Sequence, residues 1–198
     1  ATSMSALSTP LVLGTSNGPH RGQKFDVLEG GIRVPFAIRW PGIVPAGASF
    51  TPMVHGMDIF TTAAAAAGAL PPNQTDGVDL VPFLRGEKSG LPHERLFWIY
   101  NDHADWRRSD QDTNLARRLL AVREGDWKLV IEGDTPPRLY DLAADPGEQK
   151  DLACANPPVV AALTRAVSTW DGSLIRQVIP PDHPLYGRDR RKPALAPR

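Results

Sequence analysis

Only five of the chain's 22 basic side chains are lysines, so each lysine merits inspection for a specific role. Lys24 follows Gly22-Gln23 and precedes Gly30-Gly31, where backbone can approach a ligand closely. A lone ammonium in such a loop suits an anion as a compact point charge, the plainer alternative being a solvated surface lysine. His20 and Arg21 lie just ahead of it and are placed either to meet an anionic substrate or to face solvent. Ser16-Asn17-Gly18-Pro19 ends the apolar run Leu11-Val12-Leu13 with a polar turn, and α/β folds gather ligands at such strand ends. Asp102-His103 with Asp105 offers metal-ligand types at a spacing that is common in polar loops. Cys154 is the single cysteine, which excludes an internal disulfide or a CxxC pair, and it reads as a small, partly buried side chain. Arg33 beside Glu29 reads as a structural ion pair, and His55 as packing near a helix start. Trp98, Trp127 and Trp170 read as the core of a subdomain, and Asn73-Gln74-Thr75 is a glycosylation sequon that matters only in a eukaryotic secretory pathway.

The elements that must hold these residues follow from pattern. The 198 residues are 41% hydrophobic and 22% charged, the make-up of a globular chain with one large domain or two small ones. With 22 basic against 22 acidic side chains there is no surplus of cations for sequence-blind nucleic-acid binding. Nothing reaches the roughly 18 apolar residues of a membrane span, and residues 1–13 lack the basic region of a signal peptide. Proline and glycine make up 37 of 198 residues, which implies many turns and long ordered loops. Ile32, Val34, Phe36, Ile38 and Trp40 alternate with Arg33, Pro35, Ala37 and Arg39, predicting a strand over 32–40 whose first part lies at an edge because Pro35 has no N–H. A helix is expected over 59–68 with Asp58 at its start, and a short helical turn over 80–85. Strands follow over 95–100, 119–123, 127–132 and 138–142, with a hairpin at Glu124-Gly125-Asp126 and a turn at Asp145-Pro146-Gly147. Val159, Val160, Leu163, Val167 and Trp170 have helical spacing. Residues 1–94 therefore read as the end of an α/β domain, 95–175 as a small α+β subdomain with an antiparallel sheet and one packed helix, and 176–198 as a Pro/Arg-rich tail.

The ordered series Ser16-Asn17-Gly18-Pro19, Gly22-Gln23-Lys24, Glu29-Gly30-Gly31-Ile32-Arg33-Val34-Pro35 and Trp40-Pro41-Gly42 closely resembles the C-terminal half of type I sulfatases. Asp58-Ile59-Phe60-Thr61-Thr62, Asp76-Gly77-Val78-Asp79-Leu80, the run from Val122 to Leu129, and Leu139-Tyr140-Asp141-Leu142 with Asp145, Pro146 and Glu148 continue it in family order. The resemblance implies an alkaline-phosphatase-like α/β sandwich with a smaller antiparallel sheet. It implies hydrolysis of sulfate esters by a formylglycine made from Cys or Ser in a Cys/Ser-x-Pro-x-Arg motif, assisted by a divalent cation, usually calcium. It places Lys24 against the sulfate and Asn17 in the metal-binding turn.

Two departures qualify that picture. Ser16 stands where the family has an Asp, which removes a full charge from a hard-cation site, so calcium binding is expected to be weakened or absent. No Cys/Ser-x-Pro-x-Arg occurs in the chain, so it is expected to be inactive alone, with no catalytic residue of its own. Its expected partner is a sulfate-ester substrate in a complete enzyme, with neither nucleic acid nor membrane involved. Two other readings remain: a non-catalytic binding or assembly module, and part of a phosphonate or phosphodiester hydrolase on the same scaffold. A sheet left without neighbouring strands also predicts self-association.

Overall fold

A computed structural model describes residues 16–69, 75–101 and 118–174. The strand expected over 11–13, the sequon at Asn73, the Asp102, His103 and Asp105 group and the tail fall outside these residues. In chain order the elements are α1 (Glu29–Ile32), α2 (Met57–Ala66), α3 (Val81–Leu84), β1 (Arg95–Asn101), β2 (Arg118–Glu124), β3 (Trp127–Glu132), β4 (Arg138–Asp141), a 3-10 turn (Ala153–Ala155) and α4 (Pro157–Ser173).

The strands form one antiparallel meander in the order β1-β2-β3-β4. Glu124 pairs with Trp127, which leaves Gly125-Asp126 as the hairpin loop. Gly125 takes φ +57, a conformation that a Cβ disfavours. Both faces of the sheet are covered, so β2 and β3 read as near-continuous apolar runs rather than alternating ones. One face packs Leu120, Val122, Leu129 and Leu139 against Leu163 and Val167 of α4. The two α4 residues are four apart and share a helix face, and burying each is worth about 1.5–3 kcal/mol. Phe97 stacks on Trp170 with ring centroids 4.9 Å apart. Proline in its first turn lets α4 begin without wasting a backbone donor.

The other face packs Leu119, Ala121, Val130 and Tyr140 against Val27, Leu28 and Leu142, with Trp98 and Tyr100 at its margin. The loop segment that carries Lys24 is thereby fastened to the sheet. All three expected tryptophans join these clusters, and the α3, β1, hairpin, β4 and α4 expectations are met within a few residues.

Two expectations are corrected. Residues 33–40 form no strand: the chain makes the helical turn α1 at Glu29–Ile32 and then runs irregularly to Trp40. Alternation supplies a strand's side-chain pattern, but a strand also needs a hydrogen-bonded neighbour, and no described strand pairs with this segment. Its apolar side chains are left in solvent, with Val34 73% and Phe36 52% exposed. Helix α2 starts at Met57, so Asp58 lies inside its first turn and Gly56 is the cap residue.

Candidate functional site

The loop from Ser16 to Gly31 brings Asn17, His20, Arg21 and Lys24 into one segment and holds it by its own polar groups. Asn17 donates through Nδ2 to the carbonyls of Gly22 (2.8 Å) and Gly30 (3.0 Å), which closes the loop on itself. Ser16 Oγ accepts the Gly18 N–H at 3.2 Å. The paired glycines serve this closure. A Cβ on Gly30 would sit 2.3 Å from the Gly22 oxygen, and one on Gly31 would sit 2.4 Å from the Asp26 oxygen. The close backbone approach that the sequence pointed to is made by the chain itself. Asp26 Oδ1 accepts the N–H groups of Val27 and Leu28, turning the chain into α1.

His20 donates from Nδ1 to the Pro146 carbonyl at 3.1 Å, which places its proton on that nitrogen. Arg21 Nη1 donates to the Glu148 carbonyl at 2.8 Å. Both residues therefore bolt the loop to the turn after β4. Lys24 is exposed, its ammonium 4.8 Å above the ring centroid of Phe25, and it forms no ion pair among the described residues. Phe25 has φ +77, which stores roughly 1–3 kcal/mol of backbone strain in a non-glycine residue, and its ring leans on Tyr100.

Beneath this loop lies a charge cluster that sequence reasoning missed. Lys128 points from β3 to the side of the sheet facing the loop, between its cross-strand partners Arg123 and Tyr140, and is fully buried. Its Nζ lies 2.9 Å from Glu29 Oε1 and 2.9 Å from Glu148 Oε1. Glu148 Oε2 also accepts the Glu29 N–H at 2.7 Å, satisfying one free donor at the start of α1. Arg123 and Arg33 each stand 3.7 Å from Glu29 Oε2, so the predicted Arg33–Glu29 pair is present as part of a larger set. Three cations thus surround two carboxylates. Glu148 takes φ +53 to aim its carboxylate inward. The signal was available in Trp127-Lys128-Leu129-Val130, because a lysine among residues buried on both faces of a sheet needs acidic partners. Burial pushes the neighbouring Tyr140 phenol above its ordinary range, opposed by the cations Arg138 and Arg21.

A second buried acid organises α2. Asp58 accepts the His55 and Val78 N–H groups at 2.7 and 2.9 Å and receives His93 Nε2 at 2.8 Å. His55 lies near the helix start as expected, its ring tilted against Trp98. Cys154 is exposed, which corrects the expectation that it is partly buried: the 3-10 turn packs Ala153 against the sheet and α4 and leaves Cys154 in solvent.

Between α1, residues 50–56 and the start of the sheet is an open cleft of about 470 Å³. Val34, Phe36, Ile59, Leu96 and Trp98 form apolar walls, and Glu29, Arg33 and Arg123 supply charge. Asn17, His20, Arg21 and Lys24 do not line it.

Calcium is held by six to eight oxygens, several of them carboxylate. The Ser16-Asn17 corner offers two neutral oxygens, and no three His, Cys, Asp or Glu side chains converge as a metal site among the described residues. This corner does not fit calcium by itself. No helix among the described residues is long and apolar enough to cross a membrane.

With loop, sheet and packed helix in place, the chain's relatives are recognisable. Residues 22–169 match the family described as N-sulphoglucosamine sulphohydrolase, C-terminal. Rat (Rattus norvegicus) steryl-sulfatase is 43% identical over 166 residues, covering 73% of this chain and 28% of the relative. The crystal structure of Ps i-CgsB in complex with k-i-k-neocarrahexaose superposes with a TM-score of 0.66 at 27% identity, covering 79% of this chain and 33% of the other. The phosphonate monoester hydrolase SpPMH from Silicibacter pomeroyi shares the fold, with a TM-score of 0.56 at 23% identity, covering 69% of this chain and 28% of the other. The fold is of the α/β, alkaline-phosphatase-like class. The chain belongs to the type I sulfatase family, and the matched stretch is that family's C-terminal portion. It spans less than a third of the length of the curated relatives it matches.

Proposed function

We propose that this chain is the C-terminal portion of a sulfuric ester hydrolase and that it supplies Lys24 as a binding charge for the substrate's sulfate. The observation that carries the reading is the family match over 22–169, which begins in the loop bearing Lys24. Three features support the role. Lys24 is exposed and unpaired among the described residues. Its loop is clamped at Asn17, His20 and Arg21, so the ammonium is carried on a fixed backbone. A point charge of this kind stabilises sulfuryl oxygens as negative charge builds on them in transit. His20 and Arg21 act in this reading as anchors of the loop, with the remaining guanidinium donors of Arg21 available to the same anion. Asn17 Oδ1 contributes at most one ligand to a cation held mainly by groups outside the described residues. Nucleophilic attack on sulfur is not performed by any side chain described here, and the expected domain division at about residue 95 is bridged, since Val27, Leu28 and Glu29 pack with strands β2 to β4.

The test is turnover of 4-nitrophenyl sulfate. The chain alone is expected to show none. In the complete protein Lys24→Ala should lower kcat/KM by about 10²-fold, the scale of a lost transition-state contact. Turnover by the chain alone, or an unchanged kcat/KM in the variant, overturns the reading. A parallel assay with a phenylphosphonate monoester distinguishes the sulfatase from a phosphonate hydrolase on the same fold: faster phosphonate cleavage would assign the latter.

A further inference from the structure

Lys24 and Phe25 form the tip of a turn between Gln23 and Asp26. Phe25 takes φ +77 there, a backbone region that glycine enters freely and a larger residue enters at a cost. Burial does not offset that cost. The Phe25 residue is 62% exposed and belongs to neither core cluster. Nor does the loop depend on its ring for its path, since the Asn17 amide and Asp26 Oδ1 hold the chain on either side. Backbone strain kept where packing gains nothing from it points to a functional position.

The ring is nevertheless held in a set place. Tyr100, half-buried near the end of β1, supports it with centroids 5.8 Å apart and planes tilted by 43°. Lys24 Nζ lies 4.8 Å from the centroid of the same ring. An exposed aromatic surface therefore adjoins the ammonium assigned to the sulfate. A sulfate ester gripped by that ammonium carries its leaving group on a neighbouring oxygen, which brings the group beside the ring. A cation over an exposed ring is weakly held, so the ammonium is free to turn to the sulfate and uncover the ring face.

We propose that Phe25 is a specificity-determining residue: its ring, propped by Tyr100, receives the leaving group of a sulfate ester held at Lys24 and selects aryl or fused-ring alcohols over sugars. Covering a flat apolar face removes apolar area from water on both partners. A sugar would give up hydrogen bonds to water at a ring that offers none in return. The inference rests on the sulfatase reading, with Lys24 as its binding charge, and adds the leaving group to it.

The test compares phenyl sulfate with 2-naphthyl sulfate in the complete protein, because the two leaving groups ionise alike and differ in flat area. The naphthyl ester should have a kcat/KM about fivefold higher, the scale of one more ring face covered. Phe25→Gly should bring that ratio close to one, and Phe25→Tyr should keep it. In the 198-residue chain Phe25→Gly should leave the urea midpoint unchanged or raise it, because glycine adopts φ +77 without strain. Lys24→Ala should slow both esters alike and leave their ratio as it is. A ratio of one in the parent, a ratio that survives Phe25→Gly, or a lower urea midpoint in that variant would each overturn the proposal. So would glucose 6-sulfate losing as much kcat/KM as the naphthyl ester in Phe25→Gly, which would assign the ring to a sugar face. The role of Lys24 fails separately, if Lys24→Ala leaves both rates unchanged while Phe25→Gly still abolishes the ratio. The same Phe25-dependent preference among phosphonate monoesters, with sulfates uncleaved, would refute the sulfatase reading and leave the ring's role standing.

Discussion

Lys128 Nζ meets Glu29 Oε1 at 2.9 Å across 99 residues of sequence, both side chains withdrawn from water. The pair joins the sheet to the loop that carries Lys24 and Asn17, so the loop's position depends on it more than on any surface contact. Breaking a buried pair by removing one partner costs about 3–5 kcal/mol, because the remaining charges stay buried. Lys128→Met should therefore lower stability by about that amount, read as a drop in the urea midpoint with little change in slope. Replacing Glu29, Lys128 and Glu148 together by apolar residues of similar volume should recover most of the loss; a triple variant as unstable as the single one would contradict this account.

The glycines make a sharper pair of predictions. Gly31→Ala places a Cβ 2.4 Å from the Asp26 oxygen and should destabilise the chain by about 2–4 kcal/mol, since both groups in conflict are backbone. Gly56→Ala has nothing within 4 Å and an ordinary helical φ of −55, and should be neutral or stabilising by up to about 1 kcal/mol. Chemical denaturation of the two variants side by side checks both.

The Tyr140 phenol gives a pH dependence of definite sign. Its folded pKa lies above the unfolded value of 10.0, so the folded state keeps a proton that the unfolded state releases. Its contribution to stability is complete below pH 10 and is lost as the pH rises from there through the folded pKa. The denaturation midpoint should fall above pH 10 in the parent, and Tyr140→Phe should fall less steeply over the same range.

Calcium titration tests the corner at Ser16. Calorimetry of the chain alone should show no 1:1 binding event at micromolar calcium, because two neutral oxygens cannot replace a carboxylate-rich shell. Ser16→Asp restores one charge and should tighten calcium binding only in the complete protein. Tight stoichiometric binding to the parent chain alone would show that the corner is a metal site in its own right.

What was legible in the sequence divides along a physical line. The β2–β3 hairpin and α4 could be read because their partners are near in sequence: Leu120 and Val122 meet Leu129 across a two-residue loop, and α4 closes over the same strands. The Lys24 loop could be placed by motif. The ion cluster was legible only from one side: Lys128 in an apolar strand calls for acidic partners, but nothing local to Glu29 or Glu148 names them as those partners, the first 99 residues away. The segment at 32–40 failed for the converse reason. Its alternation reports a strand's chemistry, while strand formation depends on a neighbour that periodicity does not encode.

The topology also sets an order of events during synthesis. The ribosome releases Glu29 and its glycines long before Lys128, so the acid must wait in water while the loop has nothing to lock against. Hairpin and helix α4 close quickly through near-neighbour contacts, and only then does the inward-facing amine exist to recruit both carboxylates. The stretch from Ser16 to Gly31 is consequently open to proteolysis until β3 and Glu148 have emerged to lock it.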